Sequence, residues 1–88
     1  MPTKQEPTTA AHDAEVLELD VIGLHCPMPL LKAKKALNEM QAQQRLWVRA
    51  TDPGSVRDFE VFAKQSGNQL LESKEQDGIY SYLLQKKS

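Results

Sequence analysis

The sequence predicts an α/β (α+β) two-layer sandwich: a mixed four-stranded sheet with two helices on one face, in the order β-α-β-α-β-β. Three observations lead there. Two apolar, strand-like runs each end in a proline-bearing turn, Cys26-Pro27-Met28-Pro29 and Asp52-Pro53, and each turn is followed by a helix-forming stretch. Proline is tolerated in a helix only in its first turn, where its missing N–H has no intrahelical partner to lose, so both turns mark helix starts. Asp77-Gly78 then separates two further strand-like runs as a hairpin turn would. Two helices cover one face of a four-stranded sheet far better than two.

In chain order, residues 1–14 (MPTKQEPTTAAHDA) are polar, with two prolines and little to bury, and read as a disordered N-terminal tail in which His12 is solvated. Residues 15–88 form the folded domain. The first strand runs from Glu15 to about Asp20, with Val16, Leu17 and Leu19 apolar and Glu18 and Asp20 between them. The first helix runs from Pro27 to about Gln41. At 100° per residue, Leu30, Ala33, Ala36, Leu37 and Met40 share one arc, the expected core stripe. Met28 and Leu31 fall outside that arc and close to Cys26, while Lys32, Lys34 and Lys35 spread over the exposed side. Lysines so placed are either a solvated face or a patch for an acidic partner.

Leu46-Trp47-Val48-Arg49-Ala50 alternates as a second strand, with Leu46, Val48 and Ala50 on one face and Trp47 and Arg49 on the other. Asp52 reads as the N-cap of a second helix that runs to about Ser66, buries Val56, Phe59, Phe62 and Ala63, and stops at Gly67-Asn68. Gln69 to Glu75 and Ile79 to about Lys86 are the third and fourth strands. A strand-helix-strand unit crosses over between parallel strands. Both helix N-termini therefore emerge at one end of the sheet, which brings Asp52 beside Cys26.

The composition narrows the function. A net charge of −1 argues against nonspecific nucleic-acid binding as the main activity. One cysteine excludes an internal disulfide and a zinc site built from cysteines alone, and His25-Cys26 has no companion ligands at a metal-site spacing, so neither metal nor cofactor is expected. With no signal peptide and no membrane-length apolar run, an unpaired thiol fits the reducing cytoplasm.

Cys26 is the candidate reactive group. At or near a helix N-cap it would face N–H groups that lack intrahelical partners, with Met28 able to aim its N–H at the sulfur, and the helix dipole would favour the thiolate. Pro27 and Pro29 fix that helix start. Asp52 would act as a nearby carboxylate that moderates the thiol. Free cysteine is also among the most buried residue types, so an inert structural cysteine is the competing reading. An oxidoreductase acting alone would want a second, resolving cysteine, and a Cys-His hydrolase a histidine base; adjacent His25 points away along the chain.

The run Leu19-Asp20-x-x-Gly23-Leu24-x-Cys26-Pro27-x-Pro29 resembles the signature of the TusA/SirA-like sulfur-carrier family. Asp52-Pro53-x-x-x-Arg57-Asp58, Asp77-Gly78 and Tyr82-x-Leu84-x-Lys86 are similar to its downstream pattern, so the resemblance covers about Val16 to the C-terminus. It implies that Cys26 carries sulfur as a persulfide, charged by a cysteine desulfurase or other donor and discharged to an acceptor sulfur-relay protein. The outlets it implies are tRNA thiolation, molybdoenzyme maturation and sulfur metabolism. On this reading Met28, Leu31, Lys32, Lys35 and Arg57 form the partner-binding surface, and no direct nucleic-acid or membrane partner is expected. The rival reading, from a different class, is a redox-responsive interaction module that forms mixed disulfides through Cys26.

Overall fold

The computed structural model describes residues 16–87. The expected disordered tail, residues 1–14, and Glu15 at the start of the first strand lie outside the described residues. The described elements are β1 (Val16–Val21), α1 (Met28–Asn38), β2 (Arg45–Ala50), α2 (Ser55–Ser66), β3 (Gln69–Gln76) and β4 (Ile79–Gln85), the predicted order.

The sheet order is β1-β2-β4-β3. β1 and β2 are parallel, and β4 lies antiparallel to both β2 and β3. The connection through α2 skips one strand position, and the hairpin returns β4 into the gap. Asp77 and Gly78 take φ of 54° and 81°, the positive angles that a two-residue turn matching the strand twist demands. β4 is thus central and supplies two fully buried residues, Tyr82 and Leu84. β3 is an edge, protected by Glu72, Lys74 and Glu75, with a register shift between Leu70 and Glu72.

Alternation in β2 sends Leu46, Val48 and Ala50 into the core and leaves Arg49 exposed. Their cross-strand partners on the same face, Leu84, Tyr82 and Tyr80 from β4 and Leu19 and Val21 from β1, meet Ala33 and Leu37 of α1 and Phe59 and Phe62 of α2. Both helices therefore pack on this face. Full burial of a side chain such as Leu37 or Leu84 contributes about 1.5–3 kcal/mol, and the Phe59–Tyr82 stack, with ring centroids 4.6 Å apart, adds about 1 kcal/mol. The outer face carries half-buried Trp47, with the Lys74 ammonium 5.5 Å from its ring centre.

The end of α1 differs from the sequence expectation. α1 stops at Asn38, not Gln41, because the Glu39 and Met40 N–H groups bond to Ala36 and Leu37, three residues back, tightening the last turn. Met40 stays buried all the same. Leu17, near the start of β1, is exposed.

Candidate functional site

The site is built from two connections that leave the same end of the sheet, β1 to α1 and β2 to α2. Gly23, at φ 87°, turns the chain out of β1, a conformation that a side chain would strain. Half-buried Leu24 packs against the core and anchors the loop. Three bonds clasp this loop to the second connection and to the first turn of α2 that follows it. The Gly23 N–H donates to Thr51 Oγ1 at 2.9 Å, the Cys26 N–H to Asp52 Oδ2 at 3.2 Å, and the Cys26 thiol to Asp58 Oδ2 at 2.8 Å. The crossover argument thus placed Cys26 and Asp52 correctly.

Cys26 lies directly before the N-cap, within the expected placement: that position falls to Pro27, joined to Cys26 by a cis peptide bond, and α1 begins at Met28. Three local expectations are corrected. The Met28 N–H does not point at the sulfur; it bonds to the His25 carbonyl at 2.8 Å. Asp52 does not cap α2, whose N-cap is Gly54 with no side-chain cap; its carboxylate is turned to the Cys26 N–H while its carbonyl accepts from Ser55.

The third correction concerns ionisation. The hydrogen bond from the thiol to Asp58, followed by desolvation and the charges of Asp58 and Asp52, pushes the Cys26 thiol above its ordinary range. The expected helix-end activation does not survive two adjacent carboxylates. Cys26 is nonetheless exposed, which removes the buried structural reading.

Of the other predicted residues, Pro29 is buried and fixes the first turn of α1 to the core. Met28 and Leu31 are 42% and 48% exposed, outside the core arc as the helical spacing required. Lys32, Lys35 and Arg57 are exposed, Arg57 directly before Asp58 on α2.

Three features of the site were not legible as such in the sequence. Asp58 reads there as a favourable acid in the first turn of α2. Ser55 is buried and shares a 2.6 Å hydrogen bond with the buried Tyr82 hydroxyl, which pins the start of α2 to β4. A Cβ on Gly54 would lie 3.2 Å from Asp52 Oδ2 and 3.9 Å from Cys26 Cβ, so the missing side chain leaves room for the carboxylate. Among the described residues no group of three or more His, Cys, Asp or Glu could hold a metal ion, and no helix is long and apolar enough to cross a membrane.

The arrangement presents one sulfur, held by its backbone and flanked by carboxylates, at an open end of the fold. Residues 17–86 match the family described as Sulfurtransferase TusA. The chain is 59% identical over 69 residues to the sulfur carrier protein TusA of Allochromatium vinosum, an alignment covering 78% of this chain and 91% of that one. It is 40% identical over 81 residues to the sulfur carrier protein TusA of Pseudomonas entomophila, covering 92% and 98% of the two chains. The crystal structure of a SirA-like protein from Desulfitobacterium hafniense superposes with a TM-score of 0.72 at 28% identity, covering 82% of this chain and 99% of that one.

Proposed function

The chain belongs to the TusA sulfurtransferase family, and on that premise we propose that it carries persulfide sulfur on Cys26, taken from a cysteine desulfurase or another donor protein and passed to a cysteine of an acceptor protein. The observation that carries this reading is the exposed sulfur of Cys26, the one cysteine of the sequence, at the open end of the sheet. Sulfur moves between proteins by attack of one sulfur on another, so both partners must reach it directly. A site with no second cysteine cannot resolve a disulfide internally, which suits carriage better than oxidoreduction.

The partner surface of this reading is the rim of α1 beside the thiol. Met28 and Leu31 offer an apolar contact that excludes water from the two sulfurs, and Lys32, Lys35 and Arg57 steer and orient the encounter. Delivery to tRNA thiolation, molybdoenzyme maturation or sulfur metabolism, in a reducing cytoplasm, accords with such a carrier.

The redox-responsive alternative accords less well with the geometry. Sensor cysteines are low-pKa thiols, whereas the Asp58 carboxylate holds this one protonated. The test is a handover. Carrier loaded with labelled sulfur, freed of donor and mixed with a cysteine-bearing acceptor, should lose the label to the acceptor. Formation of a lasting mixed disulfide without sulfur transfer would favour the redox reading.

A further inference from the structure

The two carboxylates around Cys26 differ in what they touch. Asp52 Oδ2 takes the backbone N–H of Cys26 at 3.2 Å, while Asp58 Oδ2 takes the thiol itself at 2.8 Å. A carboxylate in that position accepts from the neutral thiol and opposes any negative charge on the sulfur. The charged groups that act on the sulfur are Asp58, from α2, and Asp52, from the turn before it. Exposed His25 directly precedes Cys26 in its loop, and exposed Arg57 directly precedes Asp58 on α2.

We propose that Asp58 is a positioning residue that weakens the hold of Cys26 on sulfur: its carboxylate stabilises the empty thiol and disfavours the anionic loaded form, so that the sulfur is readily passed on. This rests on the sulfur-carrier reading. The exchange can be written with glutathione persulfide as donor. Cys26 Sγ bonds to the outer sulfur of the donor, the donor S–S bond breaks, and glutathione leaves as a thiolate that takes up the proton Cys26 gave up. The products are Cys26 persulfide and glutathione, with no net oxidation or reduction. Asp58 acts on both sides of this equilibrium. It bonds to the Cys26 thiol before exchange, and afterwards its charge opposes that of an ionised outer sulfur about 2 Å beyond Sγ. The arrangement it favours directs that sulfur away from α2, outward to a partner.

A merely structural role for Asp58, as a favourable charge at the start of α2, makes a different prediction: its loss would change stability and leave the thiol alone. The first measurement is therefore a titration of the full chain, following thiolate absorbance against pH. The midpoint of the native protein should lie above that of the same protein unfolded in urea, and Asp58→Asn should lower the native midpoint. Each unit of that fall increases the thiolate tenfold but reduces its intrinsic nucleophilicity, so alkylation by iodoacetamide at neutral pH should rise, by about three- to fourfold per unit. A native midpoint at or below the unfolded one overturns the proposal without need of any variant. So does a folded Asp58→Asn protein that titrates as the wild type does.

The second measurement is the equilibrium loading of wild-type and Asp58→Asn protein at a fixed ratio of glutathione persulfide to glutathione, read by intact mass. The variant should retain sulfur with a several-fold larger exchange constant. Loading of both to the same extent overturns the role of Asp58 alone. Failure of both to load overturns the carrier reading, and this proposal with it.

Discussion

A thiol 2.8 Å from a carboxylate oxygen keeps its proton, because ionising it would bring two negative charges into contact. The thiolate is the attacking species, so a raised pKa moves the acid limb of Cys26 reactivity to higher pH than for an unperturbed cysteine. Asp52 acts on the sulfur through charge alone and stands last among the causes of the shift. Asp52→Asn should therefore raise the alkylation rate at neutral pH, by less than Asp58→Asn does; the two rates measured side by side check the order. Cys26 itself was legible because one cysteine stands among turn-forming residues. Its charge state was not. The sequence shows the helix start beside the thiol, but the placement of Asp58 against the sulfur depends on how α2 packs across the sheet, a tertiary fact with no local signature.

At the scale of elements, α2 is held by its first residue. Ser55 and Tyr82 are buried and share one hydrogen bond, so removing either hydroxyl leaves the other without its partner. Tyr82→Phe should cost about 1–3 kcal/mol in urea unfolding, and the double variant with Ser55→Ala should cost less than the sum of the single changes. Burial pushes the Tyr82 phenol above its ordinary value, with the Ser55 hydrogen bond acting the other way. The fold thus favours the protonated phenol. That contribution is full below the phenol's ordinary range and is lost as pH rises through the folded value. Tyr82→Phe should accordingly flatten the alkaline loss of stability, as unfolding curves across alkaline pH would show. The proline rule located both helix starts to within about two residues, and the alternation in β2 sorted its faces correctly. The capping assignments failed because a backbone turn replaced each side-chain cap, which released the Asp52 carboxylate for the Cys26 N–H.

For the whole molecule, the parallel β1–β2 pair is what creates the site, since it brings both helix starts to one end of the sheet. That much followed from the β-α-β order. One turn into α1, whose start follows Cys26, Leu31 is 48% exposed, with its N–H bonded to the Pro27 carbonyl. Leu31→Glu should change stability by no more than about 0.5 kcal/mol, as expected of an exposed position, while impairing sulfur exchange with a partner protein. Circular dichroism and label transfer separate the two effects. Normal transfer would move the docking surface elsewhere, and unfolding would make Leu31 core. The central claim is that Cys26 carries sulfur, and intact mass after incubation with a cysteine desulfurase and cysteine tests it most directly. Wild-type protein should gain the mass of bound sulfur, reversible by a thiol reductant, and Cys26→Ser should gain none. A wild-type protein that gains no mass, or a Cys26→Ser protein that gains it equally, would contradict the account.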